Sequence, residues 1–265
     1  MEVVRLDRVY RQDESSSIVH NAHRMLRGES LAPDEAQSGG SFFVTRSSDE
    51  QKTHRLVVEM ATERIPAAYG LSFPGDVQVL APMRRGPAGT ESLNAALQEV
   101  HSSGRPSLSM SERSGVTFRE GDRVLQLKND YERGVFNGDV GEVRLVDPSD
   151  RRLEVDFGDA EATYEAGDLR ALGLAYAMTI HKSQGSEFPA VVVPVVRSHG
   201  LMLRRNLLYT AVTRAKRLCV LVGDGRAIER AIQSARRDLR TTTLARRIRQ
   251  SIHASLGEVF VEPIS

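Results

Sequence analysis

The feature that most constrains this chain is an abrupt change from apolar to polar residues within Leu174–Gly185, LAYAMTIHKSQG. Leu174 to Ile180 has the composition of a buried strand, and the polar run begins at His181. A second apolar run, AVVVPVV, occupies 190–196. Because the carboxyl ends of strands in an open α/β sheet face the ligand crevice, we expect the polar run to be presented to a substrate. The same pattern occurs in many α/β enzymes, so by itself it leaves the function open.

Strand and helix patterns alternate ahead of this segment. The predicted elements are a helix starting near Ser15 to Ser17, a strand at Ser41–Arg46, a helix from Asp49-Glu50 to about Arg64 with a loop after Pro66, a strand at Val77–Ala81, and a helix over Thr90–Val100 capped by Thr90 or Ser92. This order predicts an α/β fold with a parallel, doubly wound sheet.

The region from Arg113 to Leu172 loses helical periodicity and shows short apolar or β-branched runs separated by turns. Asn137-Gly138 is the dipeptide favoured in type I′ hairpins, and Gly158-Asp159 is a further turn signal. About sixty residues of short strands predict a small β-barrel inserted between two parts of the sheet domain.

The composition is that of a globular protein, with 265 residues, 40% hydrophobic content and a formal net charge of +1 at pH 7. No run reaches the roughly eighteen apolar residues of a membrane-spanning helix, and the first residues lack signal-peptide character, so we expect a cytoplasmic protein with no membrane partner. The single Cys219 excludes an internal disulfide or a cysteine metal cluster, and we predict no metal site in this chain. Arginines cluster locally, above all in a tail beyond Ala235, although most such clusters are solvated surface.

Two stretches point to a specific chemistry. The first is TIHKSQGSEF at 179–188, and the second is NLLYTAVTRAKRLCVLV at 206–222, a helical run with Arg214 in its last turn. Together they closely resemble the fifth and sixth motifs of superfamily-one helicases, in the spelling of the RecD-like branch and its UvrD-like C-terminal domain. Tyr10-Arg11-Gln12 is similar to the YRQ motif of this family, and the run Gly121–Gly141 is similar to the barrel inserted in its second motor lobe.

The resemblance implies a RecA-like (P-loop NTPase-like) parallel sheet lobe with an inserted small SH3-like β-barrel. It implies that residues 1–107 form the first part of a second motor lobe, 108–172 the barrel, 173–235 the second part of the lobe, and 236–265 a basic helical tail.

The resemblance also assigns roles to individual residues. In phosphoryl transfer an arginine can neutralise charge that develops on the γ-phosphate, because its planar guanidinium stays protonated and engages two phosphate oxygens. Arg214 is the first candidate for this catalytic role and Arg11 is the second; taken alone, Arg11 would be a surface arginine at a helix start. The expected ATP-binding residues are Gln184, Gly185 and Glu187. The expected DNA-binding residues are Thr179, His181, Arg84, Arg85, Asn129 and Tyr131, and Asn129 also suits a plain turn.

The sequence contains no Gly-x-x-x-x-Gly-Lys-Ser/Thr loop and no buried strand that ends in an acidic pair, which are the parts that hold nucleotide phosphates and Mg²⁺. The family carries them in a first RecA-like lobe. We therefore expect ATP with Mg²⁺ to need that lobe, from upstream sequence or a separate chain, and this chain to be a fragment, a split gene product or a truncated reading frame.

Two hypotheses from different classes follow. The first is the second motor lobe of an ATP-dependent DNA helicase that moves 5′ to 3′ on single-stranded DNA and is inactive alone. The alternative is a non-catalytic module that binds single-stranded nucleic acid or a protein partner.

Overall fold

The computed structural model describes residues 16–35, 39–109 and 116–234, together with 247, 248 and 251. Its helices are α1 Ser17–Arg27, α2 Glu50–Glu59, α3 Ile65–Tyr69, α4 Thr90–Ser102, α5 Arg205–Val212 and α6 Gly225–Gln233. Its strands are β1 Phe42–Arg46, β2 Val77–Ala81, β3 Ser107–Ser109, β4 Thr117–Arg119, β5 Arg123–Gln126, β6 Val140–Asp147, β7 Arg152–Asp156, β8 Glu161–Glu165, β9 Leu172–Leu174, β10 Ala177–Thr179, β11 Phe188–Val195 and β12 Ala215–Gly223. Arg11 and nearly all of the basic tail lie outside the described residues.

Five strands form a parallel sheet in the order β1-β12-β11-β2-β10. Helices α1, α5 and α6 pack on one face, and α2 and α4 pack on the other. The central strand β11 is apolar on both faces, as expected for a strand covered by helices on both sides. Pro194 lies beyond Val192, the last residue of β11 that pairs with β2, so its missing N–H does not interrupt that ladder. The predicted parallel α/β fold is confirmed.

A second, antiparallel sheet in the order β8-β7-β6-β5-β9, together with the β3-β4 hairpin, forms an insert between α4 and β10. It has its own core, with Phe118, Leu153, Tyr164 and Leu169 fully buried. The short strands predicted in this region are found as β4 to β8. The sequence missed β3 and β9, because three residues are too few to show a period.

The predicted strand from Leu174 to Ile180 is wrong in one respect, because it is two strands in different sheets. Leu174 ends β9, which pairs with β5 of the insert, whereas β10 pairs with β2 of the parallel sheet. Between them the backbone changes partners: the Gln78 side-chain amide donates to the carbonyls of Ala175 and Tyr176 at 3.1 and 2.9 Å. An apolar run records that a segment is buried, but not which sheet it joins.

Three local predictions need correction. Helix α4 is capped by Gly89, not by Thr90 or Ser92, because the turn before it folds so closely that a side chain at Gly89 would clash with the Arg84 and Arg85 carbonyls. The helical path continues past Pro66 to Tyr69, because a π-helical segment at Met60–Arg64 joins α2 to α3 and the Ile65 N–H donates to the Met60 carbonyl. The Asn137-Gly138 turn is not type I′: Gly138 has φ +107°, but among the described residues Arg151 is the only non-glycine with positive φ.

A buried carboxylate joins the insert to the parallel sheet. Asp122, which is 0% exposed, accepts hydrogen bonds from the side chains of Gln98 and Ser102 on α4, at 2.5 and 2.6 Å. It also accepts from the Tyr176 hydroxyl at 2.9 Å and from the Arg119 backbone N–H at 2.8 Å. Burial, and then the charge of Asp122, raise the pKa of Tyr176, so its hydroxyl stays protonated and able to donate. Four donors therefore compensate for the desolvation of one charge.

None of the helices in the described ranges combines the length and the apolar character that crossing a bilayer requires.

Replacing Asp122 with Asn keeps the shape but turns an amide NH₂ toward groups that are themselves donors. We expect the free energy of unfolding to fall by about 3 kcal/mol, because buried donors lose their acceptor. Urea unfolding measures this. The control is Asp159→Asn, the same change at an exposed turn of the insert, which should shift stability by less than about 0.5 kcal/mol. Equal stability of the two variants would show that Asp122 does not hold the insert in place.

Candidate functional site

The segment Ile180–Glu187, here called the β10–β11 loop, connects two strands of the parallel sheet. It starts at the carboxyl end of β10 with tight turns, in which the N–H groups of Lys182 and Ser183 donate to the Thr179 carbonyl at 2.9 and 3.2 Å. Ser183 is fully buried and its hydroxyl donates to the Ile180 carbonyl at 2.8 Å, so it anchors the loop from inside. The polar run is therefore a folded structure with one buried anchor, and its other side chains are displayed around that anchor.

The start of the β10–β11 loop lines a groove between the parallel sheet and the insert. The groove is a cavity of about 750 Å³. Its walls come from α4 and β10 on one side and from β4, β5, β9, Leu127 and Arg170 on the other. Residues on its lining include Arg84, Asn94, Leu127, Leu172, Thr179 and Lys182.

The groove combines an apolar floor with three cations, those of Arg84, Arg170 and Lys182. Burial, and then the charge of Arg84, lower the pKa of Lys182, as expected for an ammonium group that lies close to a like charge. Arg84 is exposed and reaches Glu91 at 3.2 Å, so this carboxylate compensates only part of the positive charge. An extended anion with apolar groups is the kind of ligand that such a groove suits.

The end of the β10–β11 loop packs against Arg214, at the amino ends of β11 and β12. The Arg214 side chain is 8% exposed. Its guanidinium donates to the carbonyls of Thr210 and Ser186, at 3.2 and 3.0 Å, and its backbone carbonyl accepts from the Phe188 N–H at 2.9 Å. The two motifs found in the sequence are therefore in direct contact. In this structure Arg214 also ties the loop to the end of α5.

The residues next to Arg214 present polar groups to solvent. Gln184 and Gly185 are exposed, and Gly185 has φ +94°, a conformation that side chains rarely adopt. No atom lies within 4 Å of the position that a side chain at Gly185 would occupy, so the backbone is open to a close approach there. Glu187 lies 3.3 Å from the Lys216 ammonium group. This cluster presents an ammonium group, a carboxylate and an uncovered turn beside the buried Arg214 guanidinium.

The predicted site residues fall into separate groups. Thr179 and Arg84 line the groove, whereas Gln184, Gly185, Glu187 and Arg214 form the cluster at the other end of the loop. His181 and Arg85 are exposed but do not line the groove. Asn129 and Tyr131 lie on the β5–β6 connection of the insert. Arg11 lies outside the described residues.

The β5–β6 connection displays an aromatic pair. Tyr131 is 78% exposed and Phe136 is 46% exposed, with their ring centroids 5.9 Å apart in an edge-to-face arrangement. The Asn129 side chain donates to the Tyr131 hydroxyl at 3.3 Å and accepts from the Asn137 N–H at 2.9 Å. Asn129 therefore has a turn-forming role, and it also orients an exposed ring.

Two residues with suitable chemistry were missed by the sequence. Lys182 lies inside the motif itself, and its position between two predicted contact residues was the available signal. Phe136 directly precedes the Asn137-Gly138 turn, and an aromatic residue at a turn was the signal there. Both depend on the tertiary structure for their meaning, because exposure and neighbours cannot be obtained from sequence spacing.

Comparisons with known proteins agree with this geometry. The family model for the UvrD-like helicase C-terminal domain matches residues 174–222, and the model for the ATP-dependent RecD-like DNA helicase SH3 domain matches residues 93–157. The chain is 36% identical over 247 residues to the ATP-dependent RecD2 DNA helicase of Deinococcus radiodurans, covering 93% of this chain and 32% of that protein. It is 36% identical over 176 residues to the RecBCD enzyme subunit RecD of Mycolicibacterium smegmatis, covering 65% of this chain and 29% of that protein. The chain thus spans about a third of the length of these relatives.

A solved structure shares the fold. The chain is similar to the Pif1 helicase from Bacteroides in complex with ADP-AlF3 and single-stranded DNA, with a TM-score of 0.53 and 20% identity, over 95% of this chain and 57% of that one. At this identity the likeness shows the fold alone. The family models and this neighbour confirm the predicted fold class, a RecA-like parallel sheet lobe with an SH3-like insert.

The contacts of Arg214 predict a structural effect that is independent of any ligand. Arg214→Met removes the donors to the Thr210 and Ser186 carbonyls, so we expect the free energy of unfolding to fall by about 1–2 kcal/mol. We also expect faster tryptic cleavage after the exposed Lys182, because the loop loses its attachment to α5. Arg217→Met, at an exposed position on β12, is the control. Unchanged cleavage after Lys182 in Arg214→Met would show that the contacts of Arg214 do not hold the loop against α5.

Proposed function

The chain belongs to the RecD-like superfamily-one helicases and corresponds to their C-terminal half, and on this premise we propose that it is the second motor lobe of an ATP-dependent DNA helicase. The complete motor would couple ATP hydrolysis to 5′-to-3′ movement on single-stranded DNA and to duplex unwinding. One relative is an ATP-dependent DNA helicase and one structural neighbour is bound to ADP-AlF3 and single-stranded DNA, which supports ATP and DNA as ligands; family resemblance supports the direction.

The domain limits are part of this proposal. Residues 1–107 and 173–235 make the lobe, 108–172 make the barrel, and 236–265 make a basic tail.

The observation that carries the proposal is that one short loop touches both candidate ligand sites. Lys182, near its start, lines the groove between sheet and insert, and Ser186, near its end, accepts a hydrogen bond from Arg214. Hydrogen bonds within the loop and the buried Ser183 at its centre connect the two ends, so we expect a displacement at one end to affect the other. Coupling between nucleotide and nucleic acid is the property that a translocating motor needs.

We propose that single-stranded DNA occupies the groove. Lys182, Arg84 and Thr179 would contact its phosphates, with His181 and Arg85 beside them, as cations and hydroxyls commonly do. Asn129 and Tyr131 on the insert would extend the path, because an exposed ring supplies a stacking surface for a base.

ATP with Mg²⁺, when bound, supplies the γ-phosphoryl group whose transfer to water drives the motor. The residues of this chain fit one side of such a site. Arg214 would stabilise charge on the γ-phosphate, the open turn at Gln184 and Gly185 would approach the phosphates, and Glu187 would accept hydrogen bonds from the ribose hydroxyls. Arg11 is the second candidate arginine. The phosphate loop and the Mg²⁺ ligands are expected on a first RecA-like lobe, which is the partner that the proposal requires.

The groove is tested with fluorescent oligothymidylate and the full chain. Lys182→Ala should weaken binding and lower the slope of log affinity against log salt by about 0.7, the value of one phosphate contact on a single strand. Arg64→Ala removes a cation from an exposed position outside the groove and should leave the slope unchanged. Equal slopes for the two variants would show that Lys182 makes no contact with a DNA phosphate.

The catalytic role is tested in the chain joined to a first lobe that carries a phosphate loop. Arg214→Lys keeps the charge but loses the planar fork, so DNA-stimulated ATP hydrolysis should fall on the order of a thousandfold, while ATP and DNA affinities change little. The control is Arg217→Lys. The thermal unfolding temperature of each variant distinguishes a loss of catalysis from a loss of the structural contacts of Arg214. The chain without the first lobe should release no phosphate from ATP.

Two outcomes would redirect the proposal. Normal hydrolysis by Arg214→Lys would leave Arg214 with its structural role alone and pass the catalytic role to Arg11. A joined protein that binds DNA but never hydrolyses ATP would favour the non-catalytic binding module.

A further inference from the structure

A second cavity lies at the carboxyl edge of the parallel sheet, away from both sites described above. It has a volume of about 580 Å³ and is lined by residues that follow β1, β11 and β12. These include Arg46, Ser48, Arg197, Asp224, Arg226 and Glu229. We call it the β1–β12 pocket.

The topology of the sheet explains why a crevice forms there. The neighbouring strands β1 and β12 are parallel, so both end at the same edge. The chain leaves β1 toward α2 on one face and leaves β12 toward α6 on the opposite face. Adjacent strands whose connections diverge in this way open the crevice in which α/β proteins bind ligands.

The floor of the pocket is backbone. A side chain at Gly223, which has φ +144°, would overlap the carbonyl of Val195 on β11, so only glycine fits this close approach. The Ser47 N–H donates to the Gly223 carbonyl at 2.8 Å, and the Asp224 N–H donates to the Val195 carbonyl at 2.8 Å. These backbone groups are already hydrogen-bonded, so the ligand chemistry of the pocket comes from side chains.

The side chains around the pocket leave two guanidinium groups uncommitted. Arg197 is held by Asp224 at 2.6 Å, and the other Asp224 oxygen caps α6 by accepting from the Ala227 N–H at 2.9 Å. Arg46 and Arg226 are both exposed, and within the described part of the chain neither side chain makes a hydrogen bond or an ion pair. Two planar guanidinium groups on the lining of one crevice suit a phosphate group.

The lining also indicates which phosphate compound fits. No aromatic side chain and no large apolar side chain lines the pocket, so it lacks the aromatic ring on which a nucleotide pocket stacks its base. The side chains of the pocket suit the sugar-phosphate backbone of a nucleic acid better than a whole nucleotide. The pocket and the groove lie at the same edge of the sheet, with β12 and β10 separated by three strand spacings, or about 14 Å. A nucleic-acid strand that fills the groove can cover this distance with a few further nucleotides.

We propose that the β1–β12 pocket is a second phosphate-contact point for single-stranded nucleic acid, formed by Arg46 and Arg226. The inference rests on the proposed function of the groove. It extends the path of the nucleic acid from β10 across the sheet to β1. The lobe would then contact the same nucleic-acid strand at two separate points. A strand too short to leave the groove does not reach the pocket.

The experiment compares two oligothymidylates on the full chain, one of about four nucleotides that fills only the groove and one of about twenty. Arg46→Ala/Arg226→Ala should lower the slope of log affinity against log salt by about 1.4 for the long oligonucleotide, the value of two phosphate contacts. The slope for the short oligonucleotide should not change. Arg64→Ala/Arg230→Ala is the matched control, since it removes two exposed charges outside the pocket. Amide resonances of Ser48 and Gly225 should shift with the long strand only.

Each outcome decides the inference. Equal long-strand slopes for the two double variants, or resonance shifts produced equally by inorganic phosphate alone, would overturn it. If Lys182→Ala weakens binding of both strands while Arg46→Ala/Arg226→Ala has no effect, the pocket fails and the groove stands. If the unaltered chain binds neither strand, the groove and the pocket fail together.

Discussion

The hydrogen bonds of the buried Asp122 carboxylate are the interaction on which the arrangement of the parallel sheet and the insert depends. The carboxylate receives hydrogen bonds from α4, from the insert and from Tyr176, which lies where the chain passes from one sheet to the other. A charge without solvent is stable only with its full set of donors, so the elements that supply them cannot separate independently. The groove has one wall on α4 and one on the insert, and its shape is therefore set by this contact.

The β10–β11 loop takes its position from the same arrangement. Short pairing of β10 with the end of β2 brings Thr179 and Lys182 to the groove, and the loop then returns to the amino end of β11 beside Arg214. Ser183 at its centre is buried and anchors the loop, whereas Lys182 and Gln184 on either side of it are exposed. In the proposed motor, Arg214 would have two functions at once, since the guanidinium that would face the nucleotide also holds the loop that lines the DNA groove.

The positively charged side chains of the proposed sites lie at the two edges of the parallel sheet. The carboxyl edge carries Arg84 and Lys182 at one end and Arg46 and Arg226 at the other, whereas Arg214 and Lys216 lie at the amino ends of β11 and β12. A net charge of +1 conceals this separation, because carboxylates elsewhere balance the sum. Proposed nucleic-acid and nucleotide contacts are thus placed at opposite edges, with the loop between them.

The sequence by itself determined the elements whose signal is local. Val77–Ala81 and the apolar runs of β11 and β12 were predictable because a strand buried on both faces needs continuous apolar residues, and Ser16 and Asp49 mark helix starts because their side chains accept from free backbone N–H groups. The order of the motifs indicated the family. Only the tertiary structure decided that Leu174–Ile180 divides between two sheets, that Arg214 is buried against Ser186, and that Arg46 and Arg226 meet at one crevice. These depend on pairing and packing between residues far apart in the chain, about which local spacing contains no information.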